Sequence, residues 1–346
     1  MYLRFVISKQ TLIVGGITIK KINLFAITIL GLAVLFAGCS KNDSDFEDVK
    51  TVKVSDVTTV NGAKVQQKAS ITSKAQFDSI VKGSLEKDFG EAIGLAVSGD
   101  TSSGRAAVAT IGTEDFKAAF KDLGNQFDSV KPDENGNVTL NIDWTGPVGK
   151  VSVADEGKAV EGADAIIDDM SLAISGSAKA TQTSVSGNVN ASAKFGASLS
   201  ITDVEQLSTI KNLKLNTTGG ARASNIKFST KEVGEDTELD SLSGKFYLKY
   251  GLDGAMLFEA ADENGTEYNG VVKVSVSINS NTSLSKEGLE AVSELLNKKN
   301  PTNDEIDQLP IKISVKIAVY DVDGNKLFDY FTADKLSEVI NFGKEF

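Results

Sequence analysis

The 346-residue chain contains no histidine, and its only cysteine is Cys39. Without imidazole, Ser-His-Asp and Cys-His catalysis and His-ligated zinc, iron or copper are excluded. A single cysteine also excludes disulfides within the chain and Cys-based metal clusters. Aromatic residues make up 7% of the chain, and Trp144 is the only tryptophan, which disfavours glycan binding on aromatic platforms. We therefore expect no metal and no other cofactor.

Common catalytic motifs are absent as well. The sequence has no GxxxxGK[ST] or GxGxxG phosphate loop and no GxSxG elbow. SxxK tetrads begin at Ser79, Ser224 and Ser283, but they lack the SDN and KTG companions of penicillin-binding-type enzymes. The acidic pair Asp168–Asp169 leaves carboxylate-only hydrolysis open, because that reaction needs just two acids. We predict no catalytic residue and expect a protein that is not an enzyme.

One acidic loop imitates the start of a calcium site. Asp321, Asp323 and Asn325 match the first ligands of an EF-hand loop. The sixth and twelfth places are Lys326 and Thr332, where an EF-hand needs Gly and Glu. The sequence therefore predicts a hairpin turn here.

The N-terminus has the pattern of a secretory signal. Residues 22–38 form a mostly apolar run directly after Lys20–Lys21, and the run ends in Leu35-Phe36-Ala37-Gly38-Cys39. This ending resembles the lipobox of bacterial lipoproteins. The resemblance implies cleavage of residues 1–38 by signal peptidase II, and lipidation of Cys39 with diacylglycerol and usually a third acyl chain. An uncleaved transmembrane helix is the alternative, although a 17-residue run is short for a span.

Residues 39–50 are predicted to be an acidic tether between the anchor and the body. They resemble the acidic segments that follow the cysteine in surface-exported lipoproteins of Bacteroidetes. The composition is also that of a flexible linker. We expect a bacterial cell-envelope protein, held on the outer membrane, with the periplasmic and surface faces left open.

Charge limits the partners. Residues 1–39 contain four cations and no acid, so removing them changes the formal net charge from −11 to −15. We expect no basic cluster to interrupt this acidic surface, so the chain should repel nucleic acid and anionic lipid head groups. The expected membrane contact is the lipid anchor alone, and the protein or apolar ligand partner stays open.

Alternating hydrophobicity predicts a mainly antiparallel α+β body. Period-2 segments indicate long strands with one wet face, and Asn-Gly or Asp-Gly pairs at 133–137, 262–265 and 321–325 indicate hairpin turns. The predicted strands cover 51–60, 105–111, 137–143, 171–180, 189–201, 224–230, 245–252, 271–278 and 311–319.

Short capped amphipathic helices are predicted to pack on this sheet. They follow Ser73, Thr113, Thr202 and Thr332, and one further helix carries Leu289 to Leu296. The body is taken as residues 51–346. A seam near 146–162 would divide it into two subdomains.

Three functions are compatible with these patterns. The first is a lipid-anchored envelope protein with a non-enzymatic binding or structural role. The second is a carrier that encloses a lipid or another apolar ligand between long strands and helices, as tubular lipid-binding proteins do. The third is a carboxylate-dependent hydrolase. A contiguous apolar cavity would favour the carrier, and converging acids would favour the hydrolase.

Overall fold

The computed structural model describes residues 12–14, 17–19, 46–60, 62–98, 110–151, 162–181, 183–233 and 236–344. Within the predicted signal peptide it describes only a small hairpin of β1 (Leu12–Val14) and β2 (Ile17–Ile19). Cys39 and most of the proposed 146–162 seam lie outside the described residues. Of the predicted tether, residues 46–50 are described.

One ten-stranded sheet dominates the fold. The order of hydrogen-bonded strands across the sheet is β14-β13-β12-β11-β10-β9-β8-β7-β5. Strand β7 pairs with the first half of β8, and β6 pairs with its second half. All pairs are antiparallel except β5 with β7. The strands are β5 (Thr110–Ile111), β6 (Asn137–Thr145), β7 (Gly149–Val151), β8 (Ala163–Ala180), β9 (Val185–Thr202), β10 (Ile210–Val233), β11 (Asp236–Ala261), β12 (Glu267–Ser285), β13 (Lys312–Tyr320) and β14 (Lys326–Ala333). A small separate hairpin pairs β3 (Thr59–Val60) with β4 (Ala63–Lys64).

The helices connect these strands. They are α1 (Lys74–Phe77), a π-helical turn (Asp78–Lys82), α2 (Gly83–Ser98), α3 (Thr113–Ser129), α4 (Lys286–Asn297), α5 (Asn303–Asp307) and α6 (Leu336–Lys344), with a 3-10 turn at Val54–Asp56. With 53% strand and 23% helix, the predicted α+β class with mainly antiparallel strands is confirmed at that level. Helices after Ser73, Thr113 and Thr332 and around Leu289–Leu296 are also confirmed.

The predicted helix after Thr202 is wrong. The chain turns there through Asp203, which has a left-handed φ of 50°, and reaches β10 within eight residues. Val204 and Leu207 are buried in the core. Thr209 and Ile210 donate their backbone N–H groups to the Asp88 carboxylate at 2.5 and 3.1 Å. The apolar spacing that imitates a helix belongs to a tight connection under α2.

Two strand or hairpin predictions also need correction, and a third lies mostly outside the described residues. Residues 51–60 form a 3-10 turn and only the two-residue β3, because this segment lies on the sheet instead of joining it. The turn at 133–137 joins α3 to β6, so it is not a hairpin. Of the predicted 105–111 strand, only Thr110–Ile111 lies within the described residues. The turns at 262–265 and 321–325 do join hairpins, as predicted.

The central strands are much longer than predicted. The segments 224–230 and 245–252 are parts of β10 and β11, which have 24 and 26 residues. At about 3.3 Å per residue, β11 spans about 85 Å, whereas most strands have 3–10 residues. A bulge between Ser224 and Lys227 interrupts the alternation of β10 and hides its continuity in the sequence.

Side-chain alternation gives this sheet one apolar and one polar face. Helices α1, α2 and α6 cover one end of the apolar face, in a cluster that includes Phe77, Ile210 and Phe258. Helix α3 covers the other end, over a cluster that includes Ile142 and Ile174. The polar face is crossed by the N-terminal segment, which we define as residues 46–60 and 62–71.

Candidate functional site: the two faces of the long sheet

Among the residues that the structure describes, the middle of the apolar face is only partly covered. Between the two clusters, Ala165, Leu199 and Leu215 form one row across β8, β9 and β10, and Ile167, Ala197 and Thr217 form the next. These rows form the floor of a cleft of about 240 Å³. Its lining comprises Val151, Ala165, Ile166, Ile167, Ala197, Ser198, Leu199, Leu215 and Thr217.

The chemistry of this cleft is aliphatic. No lining residue is ionisable. The Thr217 hydroxyl donates to the Gly251 carbonyl at 3.1 Å, so its hydrogen is already used. Phe195 follows in the same alternating series of β9 and is 40% exposed. Small side chains at the floor and a large apolar one nearby suit an aliphatic chain better than a polar ligand.

The acidic pair Asp168–Asp169 is not part of the cleft lining. It lies at a bulge of β8, opposite Gly196, with Asp168 exposed and Asp169 half-buried. Within the described part of the chain, no group of three or more His, Cys, Asp or Glu residues is placed to hold a metal ion.

The SxxK serine at Ser79 and the EF-hand-like loop have structural roles. Ser79 donates to the Gln76 carbonyl at 3.0 Å within the first helical turns. Asp321 accepts from the backbone N–H groups of Asp323 and Asn325 at 3.0 and 2.8 Å, which closes the predicted hairpin turn. These hydrogen bonds lower the pKa of Asp321 against the opposing effect of burial, the largest single contribution.

The polar face collects lysines that are scattered in the sequence. Lys194, Gly220, Lys249, Asn279 and Lys312 stand opposite one another on five consecutive strands, and we call them the central row. We consider the part of this face that extends from Lys214 to Lys227 on β10, together with the residues opposite it on β9, β11, β12 and β13. Its charged side chains are Lys194, Lys214, Arg222, Lys227, Lys245, Lys249, Asp253, Lys273, Lys312 and Lys316. All are basic except Asp253. The expectation that the acidic chain has no basic cluster is therefore wrong for this face.

Phe46 begins the N-terminal segment at the central row. Its ring lies over Gly220, where an added Cβ would come within 1.9 Å of the ring, and it stacks on Tyr247 with 5.8 Å between ring centroids. Phe46 is 5% exposed. The Lys249 ammonium donates to the Phe46 carbonyl at 2.9 Å and pairs with Asp48 at 2.8 Å. The Lys249 hydrogen bond is the main cause that lowers the pKa of Asp48.

A buried carboxylate fixes the next part of the segment. Asp253 is 6% exposed and accepts from the Val52 N–H at 2.8 Å, from the Lys273 ammonium at 2.6 Å and from the Ser275 hydroxyl. Lys273 also donates to the Val52 carbonyl at 2.6 Å. Further along, the Asn212 amide donates to the Val57 carbonyl at 3.0 Å. Residues 46–50, predicted as a flexible tether, are thus bound to the sheet.

The sequence did not reveal how the segment is held because its backbone and the side chains that bond it lie more than 150 residues apart. A count of charged residues at alternate positions within β9–β13 would have found the basic face. A search for runs of basic residues could not.

No protein-family model, curated protein or solved structure matches the chain. Among the helices that the structure describes, none is both long enough and apolar enough to cross a membrane. Cys39 lies outside the described residues, so its lipidation stays a prediction.

Proposed function

We propose that the protein is a lipid-anchored protein of the bacterial cell envelope that binds an aliphatic chain on the apolar face of its sheet and catalyses no reaction. Its anchor is the lipidated Cys39 and its location is the outer membrane. The observation that supports ligand binding is the cleft between the two covered clusters, floored by Ala165, Ala197, Leu199 and Leu215. This proposal combines two of the three hypotheses drawn from the sequence, namely the envelope binding protein and the carrier of an apolar ligand.

The ligand is an amphiphile with one aliphatic chain in the cleft. A chain of methylene groups gains about 0.8 kcal/mol per buried CH2 and needs no hydrogen-bond partner. The cleft lining has no ionisable group, and the Thr217 hydroxyl already donates to the Gly251 carbonyl. We do not propose the hydrolase, because Asp168 and Asp169 lie at the β8 bulge opposite Gly196 and are not part of the cleft lining.

The ligand can be tested on the chain from Ser40 onward, expressed without its anchor. Native mass spectrometry followed by organic extraction should reveal a co-purified lipid, and fluorescently labelled hexadecanoic acid should bind. Ala197→Phe should fill the cleft and weaken binding of this probe at least tenfold. Ala261→Phe makes the same change at an exposed position near the end of β11 and should leave binding unchanged.

Other outcomes would replace the proposal. A clean protein mass together with no binding of the probe would leave a surface interaction module. If the protein forms a dimer at higher concentration, and Ala197→Phe reduces the fraction of dimer, then a second copy of the chain occupies the apolar face. The anchor itself is tested by intact mass in the native host, where Cys39→Ser should remove the diacylglycerol.

A further inference from the structure

The attachment of the N-terminal segment limits how the body can lie on a membrane. Phe46 is buried at the central row, and Cys39 precedes it by seven residues. A chain of this length reaches at most about 25 Å, at about 3.6 Å per residue. Because Phe46 is fixed over Gly220, this reach is measured from the middle of the polar face.

The long strands cannot stand upright within that reach. Gly220 lies ten residues from Ile210 and thirteen from Val233, the two ends of β10. At about 3.3 Å per residue, these distances are about 33 and 43 Å, both longer than the reach of the tether. Across the strands, the edge strand β14 is only four strands from β10, or about 19 Å at about 4.8 Å per strand. The strands must therefore lie along the membrane.

Charge selects which surface then meets the bilayer. We propose that the polar face, centred on Lys194, Lys249 and Lys312, lies against the anionic lipid head groups of the membrane that holds the anchor. This inference rests on the proposed lipidation of Cys39. Basic side chains near an anionic leaflet are attracted to it, and the attraction decays within about 10 Å at moderate salt.

Exposed lysines are available for this contact on both sides of the N-terminal segment. Lys194, Lys227, Lys245, Lys312 and Lys316 are all exposed. Among the described residues, none of these five has an ion-pair partner, whereas Lys249 and Lys273 are bound to Asp48 and Asp253. Of the acids in the segment, Asp48 pairs with Lys249 and Asp56 accepts from the Lys53 N–H. On the neighbouring β8, Asp164 pairs with Lys150 and Asp169 lies at the bulge, so the positive charge of this face is concentrated on β9 to β13. In this orientation the apolar cleft points away from the bilayer.

Lysine modification on vesicles tests this orientation. The full-length chain, lipidated in its host and purified, is added to vesicles of phosphatidylcholine with or without phosphatidylglycerol. An amine-reactive acetyl ester then labels exposed lysines, and mass spectrometry gives the rate at each site. Lys194 and Lys312 should react several-fold more slowly on vesicles that contain phosphatidylglycerol, and high salt should abolish the difference. Lys121 and Lys299, exposed lysines outside the sheet, should react equally on both.

Charge reversal supplies a second variant-based test. In Lys194→Glu with Lys312→Glu, the remaining lysines Lys245 and Lys316 should lose most of their protection. The matched control, Lys121→Glu with Lys299→Glu, should retain it. Equal labelling of polar-face and control lysines on both vesicles would overturn the orientation. Failure of the anchor is distinguishable, because a chain without lipid would not float with vesicles of phosphatidylcholine alone.

Discussion

The two faces of the long sheet hold the rest of the chain by different physical means. On the apolar face, α1, α2 and α6 are held by burial of side chains such as Phe258, which is completely buried and contacts Phe77 edge to face at 5.8 Å. On the polar face, the N-terminal segment is held by a small apolar cluster of Val52 and Val57 with Leu257 and Val271, and also by side chains that bond its backbone. Asn216, for example, donates to the Lys50 carbonyl at 2.9 Å.

This difference explains why the helices can leave the middle of the apolar face partly exposed, whereas the segment on the polar face needs bonding partners along its length. Hydrophobic burial is non-directional, so each helix-covered end is stable without the middle, where the cleft lies. The backbone of the segment pairs with the sheet only at the bridge between Ala69 and Tyr268, among the described residues. Its other buried backbone groups need side-chain partners, because a buried unpaired group costs about 1–3 kcal/mol. Asn212, Asp253 and Asn269 supply such partners.

The largest expected effect is the difference in stability lost when a side chain is truncated at the end of the apolar face and in its middle. Phe258→Ala should lower the free energy of unfolding by about 4 kcal/mol, because it leaves a cavity in a closed cluster. Leu199→Ala should lower it by only about 1 kcal/mol, because this side chain is half-buried beside the cleft. Urea unfolding of the two variants measures both values. Equal losses would mean that the middle is as tightly packed as the end.

The second prediction makes the same comparison on the polar face. Asp253→Ala should lower the free energy of unfolding by about 3 kcal/mol, because it leaves Lys273 and the Val52 N–H without their carboxylate. Lys249→Met removes the ion pair with the exposed Asp48 and the hydrogen bond to the Phe46 carbonyl, and should lower the free energy of unfolding by only about 1 kcal/mol. A small loss for Asp253→Ala would show that the segment is held chiefly by its apolar contacts, such as Val52 and Val57.

Much of the apolar face could be predicted from sequence. The strict alternation from Val189 to Ile201 identifies its side of β9 residue by residue, because no bulge interrupts that strand. Helix α3 was predictable from the stripe of Phe116, Ala119, Phe120 and Leu123. What periodicity could not give was the length of β10 and β11, since the bulge at 224–227 shifts the pattern from one face to the other.

The polar face was hidden for a different reason. Its organisation depends on register, which brings Lys194, Lys249 and Lys312 into one row from three distant places in the chain. The net charge is a sum over the whole chain, so it does not reveal that basic side chains are concentrated in this row. Composition alone described residues 46–50 as a linker, because nothing local reveals that Gly220 leaves room for the Phe46 ring.

Substitutions at two neighbouring glycines, Gly219 and Gly220, test the two faces of the sheet separately. Gly220→Ala would place a Cβ within 1.9 Å of the Phe46 ring, so the ring must leave its site over the polar face. We expect a loss of about 1 kcal/mol and faster cleavage by protease within residues 46–52, because burial of Phe46 is reduced. Gly219→Ala points to the apolar face, where Tyr250 is 3.1 Å from the added Cβ, and should leave cleavage there unchanged. Equal cleavage in both variants would indicate a general loosening of β10.

The smallest effect concerns the charge that begins the N-terminal segment. The Lys249 hydrogen bond lowers the pKa of Asp48 below its ordinary value of 3.8. A carboxyl whose pKa is lowered by folding stabilises the folded state above that ordinary value, and the contribution is lost as the pH falls through the folded pKa. NMR titration of the Asp48 carboxyl carbon should give a midpoint below 3.8, which Lys249→Met should return to that value. High salt should reduce the difference, because this carboxyl is exposed. A midpoint of 3.8 in the unaltered protein would show that ordered attachment to the polar face starts later than Asp48, which would lengthen the tether and weaken the limit on how the body lies on the membrane.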